Sequence, residues 1–214
     1  MSNLTVGRII FATASSAVIA IIGGSSDFLF RPIGALYLIL WVAYWLVQAT
    51  RQRGVPSMYD KRQRLVYVSG VVIIPILIVV MPWEYTHFDG PLPRDGLLAW
   101  FGLVLFGLGI AILATAMKTL GRLYTSYLGI QSGHHLVTTG PYSLVRHPGY
   151  LAEIMSMFGM GLSLSSLVGL ILAILSVPLV LVRIGHEEEM LIDAFGNDYP
   201  TYMKRTRRLV PFIY

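Results

Sequence analysis

Residues 150–182 read YLAEIMSMFGMGLSLSSLVGLILAILSVPLVLV, 33 positions in which Glu153 is the one formally charged side chain. A helix rises about 1.5 Å per residue, and about 20 apolar residues cross the roughly 30 Å of bilayer hydrocarbon. The run is therefore too long for one upright span and short for two full ones. Gly161, Ser163, Ser165 and Ser166 fall near its middle. The pattern predicts a tight hairpin of two short helices, with Pro178 bending the second.

Four further apolar runs precede it: 9–26, 33–49, 65–83 with Pro75 as a kink, and 96–117. The polar segments between them carry a consistent charge pattern. Residues 50–64 hold Arg51, Arg53, Lys61, Arg62 and Arg64 against Asp60, which predicts a cytoplasmic loop. Residues 84–95 hold Glu84, Asp89 and Asp95 against Arg94 and are expected outside. Lys118, Arg122 and Arg146 follow the fourth run, and Lys204, Arg205, Arg207 and Arg208 follow the hairpin, so both flanks of 150–182 are expected inside. A segment with both ends on one side must turn back, which supports the hairpin and places the amino terminus, with Arg8, inside. Trp83 and Tyr85 are expected at an interface, and Trp41, Tyr44 and Trp45 in helix packing.

The composition agrees. Of 214 residues, 55% are hydrophobic and 13% charged, and the mean hydropathy is +0.68. A disordered chain needs more charge, and a soluble globule needs more polar side chains to cover it. The net charge of +5 belongs to the cytoplasmic loops of a membrane protein and does not call for nucleic acid. With no cysteine, disulfides, thiolate metal sites and cysteine nucleophiles are excluded. No stretch reads as a removable signal peptide, because the first apolar run lacks a small-residue cleavage site. The fold class expected is all-α, a polytopic transmembrane helix bundle of four spans plus the carboxy-terminal hairpin. It reads as a single membrane domain, with a scaffold in 1–117 and the polar chemistry in 118–214.

That chemistry lies in two clusters. Residues 131–150, QSGHHLVTTGPYSLVRHPGY, combine two adjacent histidines, a Gly-Pro turn and an Arg-His-Pro triplet. Pro148 suits the first turn of the next helix, whose amino terminus favours anionic groups. Tyr150 and Glu153 share a helix face, and Arg146 is the partner expected for Glu153. The second cluster is RIGHEEE, 183–189, in which Arg183 and Glu187 lie four apart on one face. A run of acids is commonly a solvated face, but this one leaves the apolar region directly after an arginine. His134, His135, His147 and His186 with the acids offer a metal reading, yet no i, i+4 ligand pair exists and no metal is expected. No GxSxG elbow supports a serine nucleophile. Gly107 and Gly109, with Gly102, read first as close helix packing.

In order and spacing, RHPxY, the hairpin, the EE pair, FGxxYxxY and the basic stretch ending in PF resemble the isoprenylcysteine carboxyl methyltransferase family of membrane methyltransferases, over residues 131–213. The resemblance implies S-adenosylmethionine as methyl donor, S-adenosylhomocysteine as product, and a cofactor-binding carboxy-terminal segment at the cytoplasmic face. It implies cofactor contacts at Gln131, His134, His135, Leu136, Val137, Tyr142, His147, Pro148, Gly149, Tyr150 and Glu187. It assigns catalytic roles to Arg146, Arg183 and Glu188, with Arg183 on the substrate side and Glu188 completing the acid pair. Gly107 and Gly109 resemble a Gly-x-Gly of related phospholipid methyltransferases. The implied partners are the bilayer and an apolar, membrane-partitioned acceptor of the prenylcysteine carboxylate type. Phospholipid amines and small thiols are the other acceptors in view. A sterol-reductase-like enzyme using NADPH, and a transporter whose charges are structural, are the competing classes. The clustering of ionisable residues at one face counts against the transporter. The segment after Phe195 is expected either on the membrane surface or as a lid over the cofactor.

Overall fold

The computed structural model describes residues 10, 11, 14, 15, 17–19, 21, 26–50, 77–124, 133 and 135–210. The expected spans 9–26 and 65–83 are described only in part, and the kink at Pro75 and the basic loop 51–64 lie outside these residues. The described part is helical: α1 (Ser26–Phe30), α2 (Pro32–Ala49), a helical stretch over 77–87, α3 (Leu97–Leu120), α4 (Pro148–Ser163), α5 (Leu167–Phe195) and α6 (Asp198–Arg205). Among the described residues there is no strand, only an isolated parallel bridge between Val145 and Arg207. Among the described residues, three helical segments are long and apolar enough to cross a membrane: Pro32–Ala49, Leu97–Leu123 and Leu167–Phe195. Leu97, Phe101, Val104 and Leu108 on α3, and Ile171, Ile174 and Leu175 on α5, are exposed, as lipid-facing side chains should be.

Local chemistry sets the helix ends. Pro32 and Pro148 open α2 and α4, where a missing N–H costs nothing. The hairpin forms as expected. The Ser166 N–H donates to the Gly161 carbonyl at 2.9 Å, closing the turn, and Ser166 Oγ caps α5 by accepting from Gly169 N–H at 2.9 Å. Its two helices are not both short, however. α4 has 16 residues, but α5 has 29 and continues through Pro178 and well past Val182 to Phe195. At about 1.5 Å per residue α5 is about 44 Å long, more than the roughly 30 Å of hydrocarbon. Its last turns therefore stand clear of the apolar layer. Hydropathy falls at Arg183, but nothing there stops a helix until Gly196, which takes a positive φ of 54°.

α3 and α4 pack closely through glycines. A Cβ on Gly109 would lie 2.5 Å from Ser156 Oγ, and one on Gly159 would lie 2.5 Å from the Phe106 nitrogen. Gly102 faces the backbone of Ser163 with no room for a side chain. Among the described residues, a Cβ on Gly107 would have only Leu40 near it, at 3.8 Å. Of the Gly-Leu-Gly pair, then, Gly109 is the packing residue. Tyr37 and Trp41 of α2 and Phe106 of α3 build an aromatic core with Phe28 and Tyr85.

The end of the bundle that holds the hairpin turn is polar inside. Glu84, expected in an outside loop, instead lies in the last turn of the helical stretch 77–87 and is buried. Its carboxylate accepts from Ser166 Oγ and, at 3.3 Å, from Val168 N–H, which neutralises the amino terminus of α5. Tyr85 is 1% exposed and donates to Asp95 at 2.7 Å, so it belongs to the core. Trp83, 49% exposed, fits the interfacial expectation alone. Arg31 completes this cluster at 2.7 Å from Asp95.

Candidate active site

The other end of the bundle gathers the loop 135–147, the first turn of α4, the last turns of α5, and α6 with the residues after it. Three backbone hydrogen bonds join the loop to the carboxy-terminal segment: Arg146 N–H to Arg207 O at 2.7 Å, His147 N–H to Arg208 O at 3.2 Å and Arg207 N–H to Leu144 O at 3.2 Å. Tyr199 and Tyr202, one α6 turn apart, are buried against each other, and Leu209 is buried beyond them. The segment after Phe195 thus packs Tyr199, Tyr202 and Leu209 against the protein. Phe212 and Ile213 lie outside the described residues.

Glu188 stands at the centre and is 3% exposed. Arg146 Nε donates to its Oε1 at 2.7 Å, and His147 Nε2 lies 3.3 Å from the same oxygen. Arg208 holds Oε2 through Nε at 2.8 Å and through a second guanidinium nitrogen. Arg146 also donates to the carbonyls of Met203 at 3.2 Å and Thr206 at 2.7 Å. A buried carboxylate is tolerated only when paired and hydrogen-bonded, and this one joins three segments distant in sequence. The expectation that Arg146 pairs with Glu153 is corrected, because its guanidinium is directed to Glu188. The negative charges of Glu153 and Glu187 act on Arg183 instead.

Beside this clasp runs a second chain of contacts. Arg183 Nε donates to Tyr150 Oη at 2.6 Å, and Tyr150 Oη donates to Glu187 Oε2 at 2.6 Å. The Arg183 guanidinium also lies 5.5 Å from the centre of the Tyr150 ring. The i, i+4 pair read from the sequence is therefore bridged by a phenol from another helix. Among the described residues, no hydrogen bond reaches Glu187 Oε1. Among these residues Glu187 keeps an acceptor free where Glu188 has none.

Tyr142 is buried in the 3-10 turn 140–143, and its carbonyl accepts from Tyr202 Oη at 2.6 Å. Burial pushes the Tyr202 phenol up to about 12, with Arg146 pulling the other way, so it stays a donor at neutral pH. Burial likewise raises Tyr142 and Tyr199, and neighbouring carboxylates add to the shift. Gly149 lets the start of α4 approach Tyr124, whose hydroxyl would lie 2.9 Å from a Cβ there. His135 is exposed, and Leu136 and Val137 are half-buried along the loop. Gln131 and His134 fall outside the described residues. Among the described residues, no three His, Asp or Glu side chains converge as a metal site would require.

The structure thus brings Tyr142, Arg146, His147, Pro148, Gly149, Tyr150, Arg183, Glu187 and Glu188 to one end of the bundle. It adds Tyr124, Tyr199, Tyr202 and Arg208. The two tyrosines of FGxxYxxY carried a signal in their spacing. Arg208 was hidden among four basic residues that read as a topological charge cluster.

Comparison with known proteins agrees with this geometry. Residues 97–198 match the family model described as phospholipid methyltransferase. The chain is 32% identical over 151 residues to protein-S-isoprenylcysteine O-methyltransferase B of Arabidopsis thaliana, covering 68% of this chain and 76% of that protein. It is 29% identical over 144 residues to the cobalt-zinc-cadmium resistance protein CzcN of Cupriavidus metallidurans, covering 65% of this chain and 61% of that one. The fold is similar to the solved structure of the eukaryotic intramembrane Ras methyltransferase ICMT, with a TM-score of 0.54 at 20% identity over 99% of this chain and 88% of that chain. Shared sequence over most of a relative's length, with the same helical fold, shows that the chain belongs to the isoprenylcysteine carboxyl methyltransferase family of membrane methyltransferases.

Proposed function

We propose that the chain transfers a methyl group from S-adenosylmethionine to an apolar, membrane-partitioned acceptor of the prenylcysteine carboxylate type, at the cytoplasmic face of its membrane. The observation that carries this reading is the Arg183–Tyr150–Glu187 chain, set beside a saturated Glu188 at the protruding end of a membrane-crossing helix.

The residues present fit that donor. It carries an ammonium group, and Glu187 Oε1 is an acceptor without a partner among the described residues, on a carboxylate already oriented by Tyr150. When bound, the donor supplies an electrophilic methyl group on a sulfonium. The chain's own work is then alignment and exclusion of water. Glu187 holds the ammonium, while Tyr142, His147 and Tyr150 wall the pocket with Leu136 and Val137. His135 follows along the loop; Gln131 and His134, which the family resemblance implies as further donor contacts, lie outside the described residues. Glu188, bound on both oxygens by arginines, fixes the loop and the lid in place. Arg183 orients an anionic acceptor and favours its deprotonated form.

An apolar cleft of about 510 Å³ opens between the adjacent ends of α2 and α3, lined by Leu46, Val47, Ala114 and Met117, with Lys118 and Tyr124 among its walls. Its size suits a lipid-like ligand. Tyr124 also touches Gly149 at the start of α4, so the cleft borders the candidate donor site. This continuity supports a lipophilic acceptor with an anionic end. The excess of Lys and Arg in the loops at this end supports the cytoplasmic orientation.

Calorimetric titration of the detergent-purified protein with S-adenosylhomocysteine and with NADPH tests the reading. Binding of the first that is lost in Glu187→Ala is expected. Binding of NADPH alone would move the protein to the reductases. A labelled-donor screen over a prenylcysteine analogue, a phospholipid amine and a small thiol then identifies the acceptor.

A further inference from the structure

Tyr199 is 1% exposed, yet its hydroxyl has no hydrogen-bond partner among the described residues. Buried polar groups are nearly always satisfied, and an exception at a candidate site calls for an absent partner. Its neighbour Tyr202 shows the contrast, since that hydroxyl is used on the Tyr142 carbonyl. The two rings are 5.8 Å apart and share one helical turn, but only Tyr202 is needed to dock α6. The Tyr199 hydroxyl lies close enough to Glu188, Glu187 and Arg146 for their charges to act on it. It therefore belongs to the same buried charged cluster as Glu187.

We infer that the Tyr199 hydroxyl is a ligand-binding group of the donor pocket, kept for a neutral oxygen of the bound nucleoside. The inference rests on the proposed use of S-adenosylmethionine. Burial and the two carboxylates keep the phenol protonated, so it donates. Two carboxylates, Glu187 and Glu188, act on the hydroxyl against one arginine, Arg146, which disfavours an anion at this point and favours a neutral acceptor. A ribose hydroxyl meets that description, because it accepts from the phenol while donating elsewhere. Glu187 then serves the ammonium end and Tyr199 the nucleoside end of one ligand, and α6 is both lid and ligand contact.

The test compares wild type, Tyr199→Phe and Glu187→Gln by calorimetry with two probes, S-adenosylhomocysteine and 5′-methylthioadenosine, which lacks the amino-acid end. Apo thermal unfolding is measured in parallel. Tyr199→Phe is expected to weaken both probes by the same factor, roughly 2- to 13-fold, the range of one hydrogen bond. Its apo melting temperature should be unchanged or higher, because the variant removes an unsatisfied buried hydroxyl. Glu187→Gln should weaken only S-adenosylhomocysteine. Equal affinities for wild type and Tyr199→Phe would overturn the inference, as would a variant that melts lower and binds normally, the result expected if the hydroxyl holds a structural water. Loss confined to S-adenosylhomocysteine would overturn the nucleoside assignment. Wild-type protein that binds neither probe would overturn the donor reading itself, and the inference with it.

Discussion

Arg146 donates from Nε to Glu188 Oε1 at 2.7 Å across 42 positions of sequence, and the same guanidinium holds two carbonyls of the carboxy-terminal segment. One arginine thus connects the end of a long membrane helix, the loop before α4 and the segment that covers the site. Both residues carry catalytic assignments in the family resemblance. Their geometry assigns them first to architecture, because neither oxygen of Glu188 is open to a ligand.

Removing Glu188 should therefore cost stability before chemistry. Glu188→Ala leaves Arg146 and Arg208 without their carboxylate in a buried setting, a loss of about 3–5 kcal/mol for a broken buried pair. Thermal unfolding in detergent should show a large drop in melting temperature. A normal melting curve with abolished cofactor binding would instead make Glu188 a direct ligand.

Tyr150→Phe removes the hydroxyl that joins Arg183 to Glu187 while keeping the ring under the guanidinium. Two hydrogen bonds to charged groups disappear. Affinity for S-adenosylhomocysteine should fall about tenfold or more, the order of one charge-assisted bond. Arg183→Ala, by contrast, should lose turnover while retaining most of that affinity. Normal turnover in Arg183→Ala would exclude its proposed role toward the acceptor.

The glycines of α3 and α4 separate by neighbour distance. Gly109→Ala and Gly159→Ala each place a methyl group within 2.5 Å of existing atoms, and should destabilise by about 1–3 kcal/mol through overpacking. Gly107→Ala has 3.8 Å of clearance and gains helix propensity, so it should be neutral or mildly stabilising. Equal melting temperatures for all three variants would contradict the packing described for α3 against α4.

Much of the architecture was legible because hydropathy and small polar residues encode it locally. The turn at Gly161–Ser166 is an example: its glycine and serines supply the bonds that close it and cap α5. Glu188 was not legible in the same way. Its neighbours in sequence are two other glutamates, and what distinguishes it are Arg146 and Arg208, 42 and 20 positions away. Tyr85 misled for a related reason, since an aromatic beside a span boundary looks interfacial until Asp95 is known to accept its hydroxyl. The length of α5 was underestimated because charge ends an apolar run without ending a helix.

Alkaline pH offers a test of the lid. The Tyr202 phenol titrates at about 12 in the folded protein, above the ordinary value near 10. Below pH 10 it is neutral in both folded and unfolded chains, and its contribution is fully present. As pH rises from about 10 to 12 the unfolded chain ionises first, and that contribution is lost. Melting temperature should therefore decline over this window, and less steeply in Tyr202→Phe than in wild type. At neutral pH the same variant should melt lower, having lost the bond to the Tyr142 carbonyl.

The pairing of Glu188 with Arg208 also has a consequence in time. During synthesis Arg146 is made before Glu188, whereas Arg208 follows it by twenty residues. While α5 is being threaded into the bilayer, Arg208 trails Glu188 by twenty residues and is still inside the ribosome. The clasp on Glu188 can close only after that second cation has emerged, so a chain still tethered at this stage has α5 in place and Glu188 half-paired.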